Sequence, residues 1–208
     1  CDNDGSVNPD AVIAAIEPET CLVSVMLANN EVGTIQPVSA IGTEVRSRGI
    51  VMHTDAVQAA GSLPIDVNQL GVDLLSLSAH KFYGPKGVGV LFARKGTRLE
   101  WTQEGGGQES GRRGGTENVP LIVGMGEAII RAEQSRDQYT AFATELRNEL
   151  WRAIQERIDD VWLNGPEPGA DRLPNNLNIT IDGVQGETVL LSLDMMGVEA
   201  SAGSACTT

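Results

Sequence analysis

Short apolar runs separated by helix-length segments constrain this chain more than any other feature of its sequence. Residues 21–27 (CLVSVML), 50–53, 73–77 (DLLSL) and 88–93 (VGVLFA) are brief, apolar and bounded by turn residues, which predicts buried strands. Two helical stretches flank the first of them. Residues 9–16 have Asn8 at the N-cap and Pro9 at the first helical position. Residues 37–48 are ended by Gly49. Alternation of this kind builds a sheet-centred α/β layer architecture. A glycine-rich stretch at 105–115 (GGGQESGRRGG) then leads into a long helical region, 119–157, where Gly124 and Gly126 mark close packing. After a break at 164–174 come a strand (176–181), a helix (187–195) and a closing run (198–201). The expected division is a larger domain over 1–133 and a smaller α+β domain over 134–208.

Composition removes several classes of function. The net charge is −13 and no block of Lys or Arg occurs, so the basic stripe of a nucleic-acid surface is missing. No apolar run approaches the ~18 residues of a membrane span, and no signal-peptide pattern opens the chain. Cys1, Cys21 and Cys206 are too far apart for a disulfide framework or a CxxC metal site, which points to a reduced, cytoplasmic protein. Cys21, on an apolar run, is expected in the core. The chain opens as if mid-loop on CDNDGSVNPD and stops at a Gly/Ser-rich loop, so truncation at both ends is expected.

Ligands of open α/β sheets bind outside the carboxyl ends of the strands. Three successive strand ends here carry polar side chains: Ala28-Asn29-Asn30-Glu31, His53-Thr54-Asp55-Ala56-Val57-Gln58, and Ser78-Ala79-His80-Lys81. A lysine at the end of an apolar strand is partly buried, and burial lowers an amine's pKa and makes it a usable nucleophile toward an aldehyde. An isolated lysine in that place is more often plain surface; the neighbours decide. A pyridoxal-phosphate (PLP) site needs such a lysine, an acid opposite the pyridine nitrogen and donors for the phosphate. Asp55 can be the acid and Gln58 a partner for the phenolic oxygen. Ser78, His80 and the backbone of the 78–81 turn can hold phosphate, and Thr116 adds a hydroxyl. Cys206, set among small residues in SAGSAC, has no bulky apolar neighbours to bury it, although an inert buried cysteine is the commoner fate. A competing constellation, His53, Asp55 and His80, is the ligand set of a non-haem iron oxygenase. That set usually accompanies an all-β barrel, and it leaves Lys81, Gln58 and Cys206 without a role.

The segments ANNEVGTIQP (28–37), HTDAVQAAG (53–61), DLLSLSAHKFYGPKGVGVL (73–91), GGGQESGRRGGTENV (105–119) and SAGSAC (201–206) resemble the cysteine desulfurases, fold-type I PLP enzymes of the class-V aminotransferase branch. The GSAC form is similar to the branch serving iron–sulfur cluster assembly and nitrogen fixation; another class-V enzyme such as a selenocysteine lyase, or an inactive fragment, is the alternative. The resemblance implies the fold-type I large domain, a mostly parallel sheet with flanking helices, plus part of the small domain. It implies that Lys81 carries the cofactor, with Asp55 at the pyridine nitrogen and Gln58 at the phenolic oxygen. It places Asn30 near the ring and the substrate carboxylate, and gives Ser78 and His80 phosphate and active-site roles, His80 also as a proton shuttle. Thr116 then reaches the phosphate of a partner subunit, which makes a homodimer, and Cys206 becomes a persulfide. L-cysteine is the implied substrate, a sulfur-acceptor or scaffold protein the implied partner, and no metal is implied. The family's upstream phosphate loop, its ring-stacking histidine and its substrate-carboxylate arginine have no counterpart among these residues.

Overall fold

Alternation along the strands decides which face of the sheet is buried. The computed structural model describes residues 1–100 and 102–203. In β2 (Val51–Asp55), Met52 and Thr54 are fully buried, while His53 and Asp55 lie on the opposite face and are more open. β2 sits inside a four-stranded sheet of order β1 (Leu22–Ser24), β2, β3 (Leu74–Ser78), β4 (Gly89–Ala93). The first three strands run parallel and β4 returns antiparallel to β3. The α/β expectation, with a mostly parallel sheet, is met.

Two helices cover the Met52 face. α1 (Pro9–Ala14) starts where the Asn8 side chain accepts from the backbone N–H groups of Asp10 and Ala11. α2 (Val38–Ser47) buries Val38, Ile41, Gly42 and Val45. Together with Leu27, Met52, Ala56, Ala59, Val72 and Leu75 these apolar α2 residues form the main core, against which Val12, Ile13 and Ile16 pack. Gly42 permits the contact: a Cβ there would stand 2.5 Å from the Leu70 carbonyl oxygen. Cys21 departs from expectation and is exposed. β1 is a three-residue strand at the end of the sheet and, among the described residues, pairs on one side only; Leu22 at its start is likewise 47% exposed.

The glycine-rich stretch forms a single turn, α3 (Gln108–Gly111), with Glu109 and Ser110 at positive φ. α4 (Val119–Gln155) follows as one unbroken helix, close to the expected span. It lies over a second apolar cluster of Ala60, Ala79 and Phe82, to which it contributes Met125, Ala128, Ile129 and Ala132. Gly124 does mark close packing, since a Cβ there would stand 3.2 Å from the Pro85 ring; Gly126 faces open space. No helix among the described residues is long and apolar enough to cross a membrane.

Beyond α4, β5 (Val161–Leu163) and β6 (Ile179–Ile181) pair antiparallel, and α5 (Gly186–Met195) follows. The loop between these strands is fastened to the first half of the chain. Leu173 N–H donates to the Gly33 carbonyl and Ile35 N–H to that of Asp171, both at 2.8 Å. The side-chain amides of Asn176 and Asn178 both donate to the Glu31 carbonyl, at 2.9 and 3.1 Å. Arg172, 2% exposed, ties the loop internally by donating to the carbonyls of Pro166 (2.6 Å) and Asn164 and to Asn176 Oδ1 (2.8 Å). Burial, and then the nearby Arg147 cation, push its guanidinium below the ordinary arginine value.

Candidate active site

Parallel neighbours deliver their carboxyl ends to one edge of a sheet. β2 ends at Asp55, β3 ends at Ser78, and Asp55 lies opposite Ser76 in register. The hydrogen-bond ladder of β1 continues past the strand, with Val25 N–H donating to His53 O (3.2 Å) and Leu27 N–H to Asp55 O (2.8 Å), so residues 28–31 leave at the same edge. There the Asn29 side chain accepts from the N–H groups of Glu31 and Val32, at 2.8 and 2.9 Å, and holds the turn on which half-buried Asn30 sits. After β2, Asp55 Oδ1 accepts from Val57 N–H at 2.9 Å, and Gln58, half-buried, follows.

Local chemistry also explains how Lys81 is presented. Ala79–Phe82 form a 3-10 turn directly after β3, with Ala79 and Phe82 buried under α4 as its two anchors. Tyr83 takes the left-handed conformation (φ 63°), and Gly84 N–H donates back to Ala79 O at 2.8 Å, which closes the turn. Lys81 is half-buried between the anchors, and His80 is exposed with Nδ1 2.8 Å from Ser78 Oγ. One edge thus collects Asn30, Asp55, Gln58, Ser78, His80 and Lys81. Thr116 is exposed on the segment joining α3 to α4 and makes no hydrogen bond to this edge among the described residues. Cys206 lies outside the described residues.

His53 occupies a different kind of place. Its Nδ1 is 2.7 Å from Ser24 Oγ on β1 and its Nε2 2.9 Å from Ser76 Oγ on β3. Burial pushes its pKa below the ordinary histidine value, against the opposing pull of Asp55. With both ring nitrogens engaged, and His80 turned to Ser78, the iron-ligand reading of His53, Asp55 and His80 has no geometric support, and the three form no metal-ligand cluster among the described residues. Ser24 and Ser76 escaped sequence reasoning. The available signal was polar residues recurring at same-face spacing inside apolar strands, Ser24 in LVS and Ser76 in LLSLS, beside His53-x-Asp55.

This is an α/β fold that gathers polar side chains at one sheet edge. The aminotransferase class-V family model matches residues 1–208, and the chain belongs to that family. Cysteine desulfurase IscS of Dictyoglomus turgidum is 51% identical over 205 residues, covering 99% of this chain and 52% of that protein. Among solved structures, a NifS-like protein superposes with a TM-score of 0.89 at 37% identity, over 96% of this chain and 54% of that one. SspA in complex with cysteine superposes at 0.77 with 34% identity, over 98% of this chain and 55% of that one. The chain spans about half the length of the relatives it matches.

Class-V aminotransferases and cysteine desulfurases are PLP enzymes. The donor set at the edge suits that group: an amine in Lys81, a carboxylate in Asp55 whose Oδ1 accepts from Val57 N–H, an amide in Gln58, and a hydroxyl and imidazole in Ser78 and His80.

Proposed function

We propose that this chain is the cofactor-binding part of a cysteine desulfurase, which converts L-cysteine to L-alanine and passes the sulfur to Cys206. The observation that carries the reading is the parallel pairing of β2 with β3, which sets Asp55 and the Ser78–Lys81 turn side by side at one sheet edge. The desulfurase names of the relatives and the cysteine-bound neighbour support the choice of substrate. PLP, when bound, supplies an electron sink for negative charge at the substrate Cα.

The residues divide the remaining work. Lys81 would hold the cofactor through its amine and would take the proton from the substrate Cα. Asp55, steadied by Val57 N–H, pairs with the pyridine nitrogen and keeps it protonated, and Gln58 donates to the phenolic oxygen. Ser78 and His80 hold phosphate, with His80 also carrying protons, and Asn30 sits by the ring and the substrate carboxylate. Thr116 completes the phosphate site of a second copy. The Cys206 thiolate attacks the substrate sulfur, so that a C–S bond breaks and an S–S bond forms: L-cysteine and a thiol give L-alanine and a persulfide.

A homodimer fits the apolar side chains left open on α4 and α5, among them Val123 (64% exposed), Leu191 (67%) and Met195 (89%). The exposed free thiols of Cys1 and Cys21 suit a reducing, cytoplasmic compartment. A sulfur-acceptor or scaffold protein for iron–sulfur cluster assembly is the partner that receives the sulfur. The larger domain over 1–133 holds the cofactor, and α4 carries the chain into the smaller one over 134–208. The test uses the full-length protein that contains this chain, with PLP added; the 208 residues alone are expected to show little or no turnover. Lys81→Ala abolishes the cofactor's visible absorbance, whereas Cys206→Ala keeps the colour and loses sulfide release. A Lys81→Ala protein that retains wild-type absorbance and turnover overturns the proposal.

A further inference from the structure

Parallel strands ordinarily carry near-continuous apolar runs, because both faces of such sheets are covered. Here one face of three neighbouring strands carries Ser24, His53 and Ser76 instead, while the other face of β2 and β3 keeps to the pattern with Met52 and Leu75. The three polar residues form one chain of hydrogen bonds from β1 across β2 to β3. A neutral imidazole has one N–H and one bare nitrogen, so one serine accepts from the ring and the other donates to it. Both ring edges are thereby fixed, and the ring cannot turn without breaking a bond on one side.

The chain of bonds ends beside the acid of the candidate site. His53 and Asp55 are two residues apart on one strand and share a face. Ser76, which holds the far side of the ring, stands opposite Asp55 in register. The backbone at that level is tied on both flanks, by Leu27 N–H to Asp55 O at 2.8 Å and by Ala56 N–H to Ser76 O at 3.0 Å.

We propose that His53 is a positioning residue: strung between the hydroxyls of Ser24 and Ser76, it locks the three strand ends together beneath Asp55 and fixes where that carboxylate meets the ligand. The inference rests on the PLP reading of the site. A polar cluster that merely joined strands would affect stability alone. A positioning device also changes how the acid engages the cofactor's nitrogen. Burial disfavours the charged ring, so near pH 7 Asp55 has no cationic neighbour at position 53.

The test uses the full chain and pyridoxal phosphate as the probe. His53→Leu keeps the size of the side chain and removes both hydrogen bonds. Its PLP dissociation constant is expected to rise about tenfold, with a changed visible band and a shifted 15N resonance of the pyridine nitrogen, while circular dichroism is retained. Ser24→Ala and Ser76→Ala each produce a smaller change in the same direction, and the pair together approaches His53→Leu; this double variant serves if His53→Leu does not fold. In the apoprotein, ring-nitrogen NMR of His53 shows a single neutral tautomer near pH 7. Wild-type PLP affinity and spectra in a folded His53→Leu or in the double serine variant overturn the proposal, as do ring nitrogens in fast tautomer exchange. Failure of the functional reading itself looks different: the wild-type chain then binds no PLP at all.

Discussion

Replacing Arg172 by Ala removes a buried clamp whose cost follows from its partners. The guanidinium is 2% exposed and donates to three acceptors, the carbonyls of Pro166 and Asn164 and Asn176 Oδ1. Each buried acceptor left without a donor costs about 1–3 kcal/mol. Relief from burying a cation whose hydrogen-bond acceptors are all neutral offsets part of that sum, and a net loss of about 3 kcal/mol is expected. The loss is local, because Arg172 shapes the loop that carries the backbone bonds from Leu173 to Gly33 and from Ile35 to Asp171. Amide hydrogen exchange is the appropriate assay. Protection of the Leu173 and Ile35 N–H groups should fall about a hundredfold, the kinetic equivalent of that energy. Asp73 N–H, which donates to Met52 O inside the main sheet, should hardly change. Protection at Leu173 and Ile35 within threefold of wild type, on the order of the scatter between independent sites, would refute the reasoning.

Three further outcomes follow from other parts of the fold. Burial lowers the His53 pKa, so below the ordinary value of 6.5 the unfolded chain binds a proton that the folded chain resists. That contribution to stability is therefore intact above 6.5, declines as pH falls below it, and levels off once the folded-state value is passed; urea midpoints should fall less steeply over this window in His53→Gln than in wild type. Gly42→Ala drives a Cβ to 2.5 Å from the Leu70 carbonyl oxygen and should cost about 2–3 kcal/mol in urea unfolding. Gly49→Ala meets no atom within 4 Å and pays only for its φ of 76°, about 1 kcal/mol.

What could be read from the sequence was whatever depends on local pattern. α4 and α5 came out within two residues of their observed ends because caps and composition set helices over long windows. The strand ends that carry Asn30, Asp55, Gln58 and the Ser78–Lys81 turn were visible because polar residues follow apolar runs abruptly. Features set by distant partners were not visible. β5 is only Val161–Leu163, and it exists because β6 pairs with it sixteen or more residues later. Cys21 looked like core because CLVSVML is apolar, yet position at the end of the sheet decides its exposure. The bonds from Ser24 and Ser76 to His53 depend on which strands are neighbours and in what register, which no single stretch of sequence contains.

The length of α4 has a mechanical consequence. From Ala128, beside the close contact with Gly84, to its end at Gln155 the helix extends about 40 Å at 1.5 Å per residue. A tilt of about 5° about that contact would move the far end by about 3 Å. The glycines at 84 and 124 set how closely the helix approaches there, while Thr140 Oγ1 donating to Ser62 O (3.0 Å) and Arg147 donating to Leu173 O (2.8 Å) hold it farther along, so a methyl group added at either glycine would load those distant bonds.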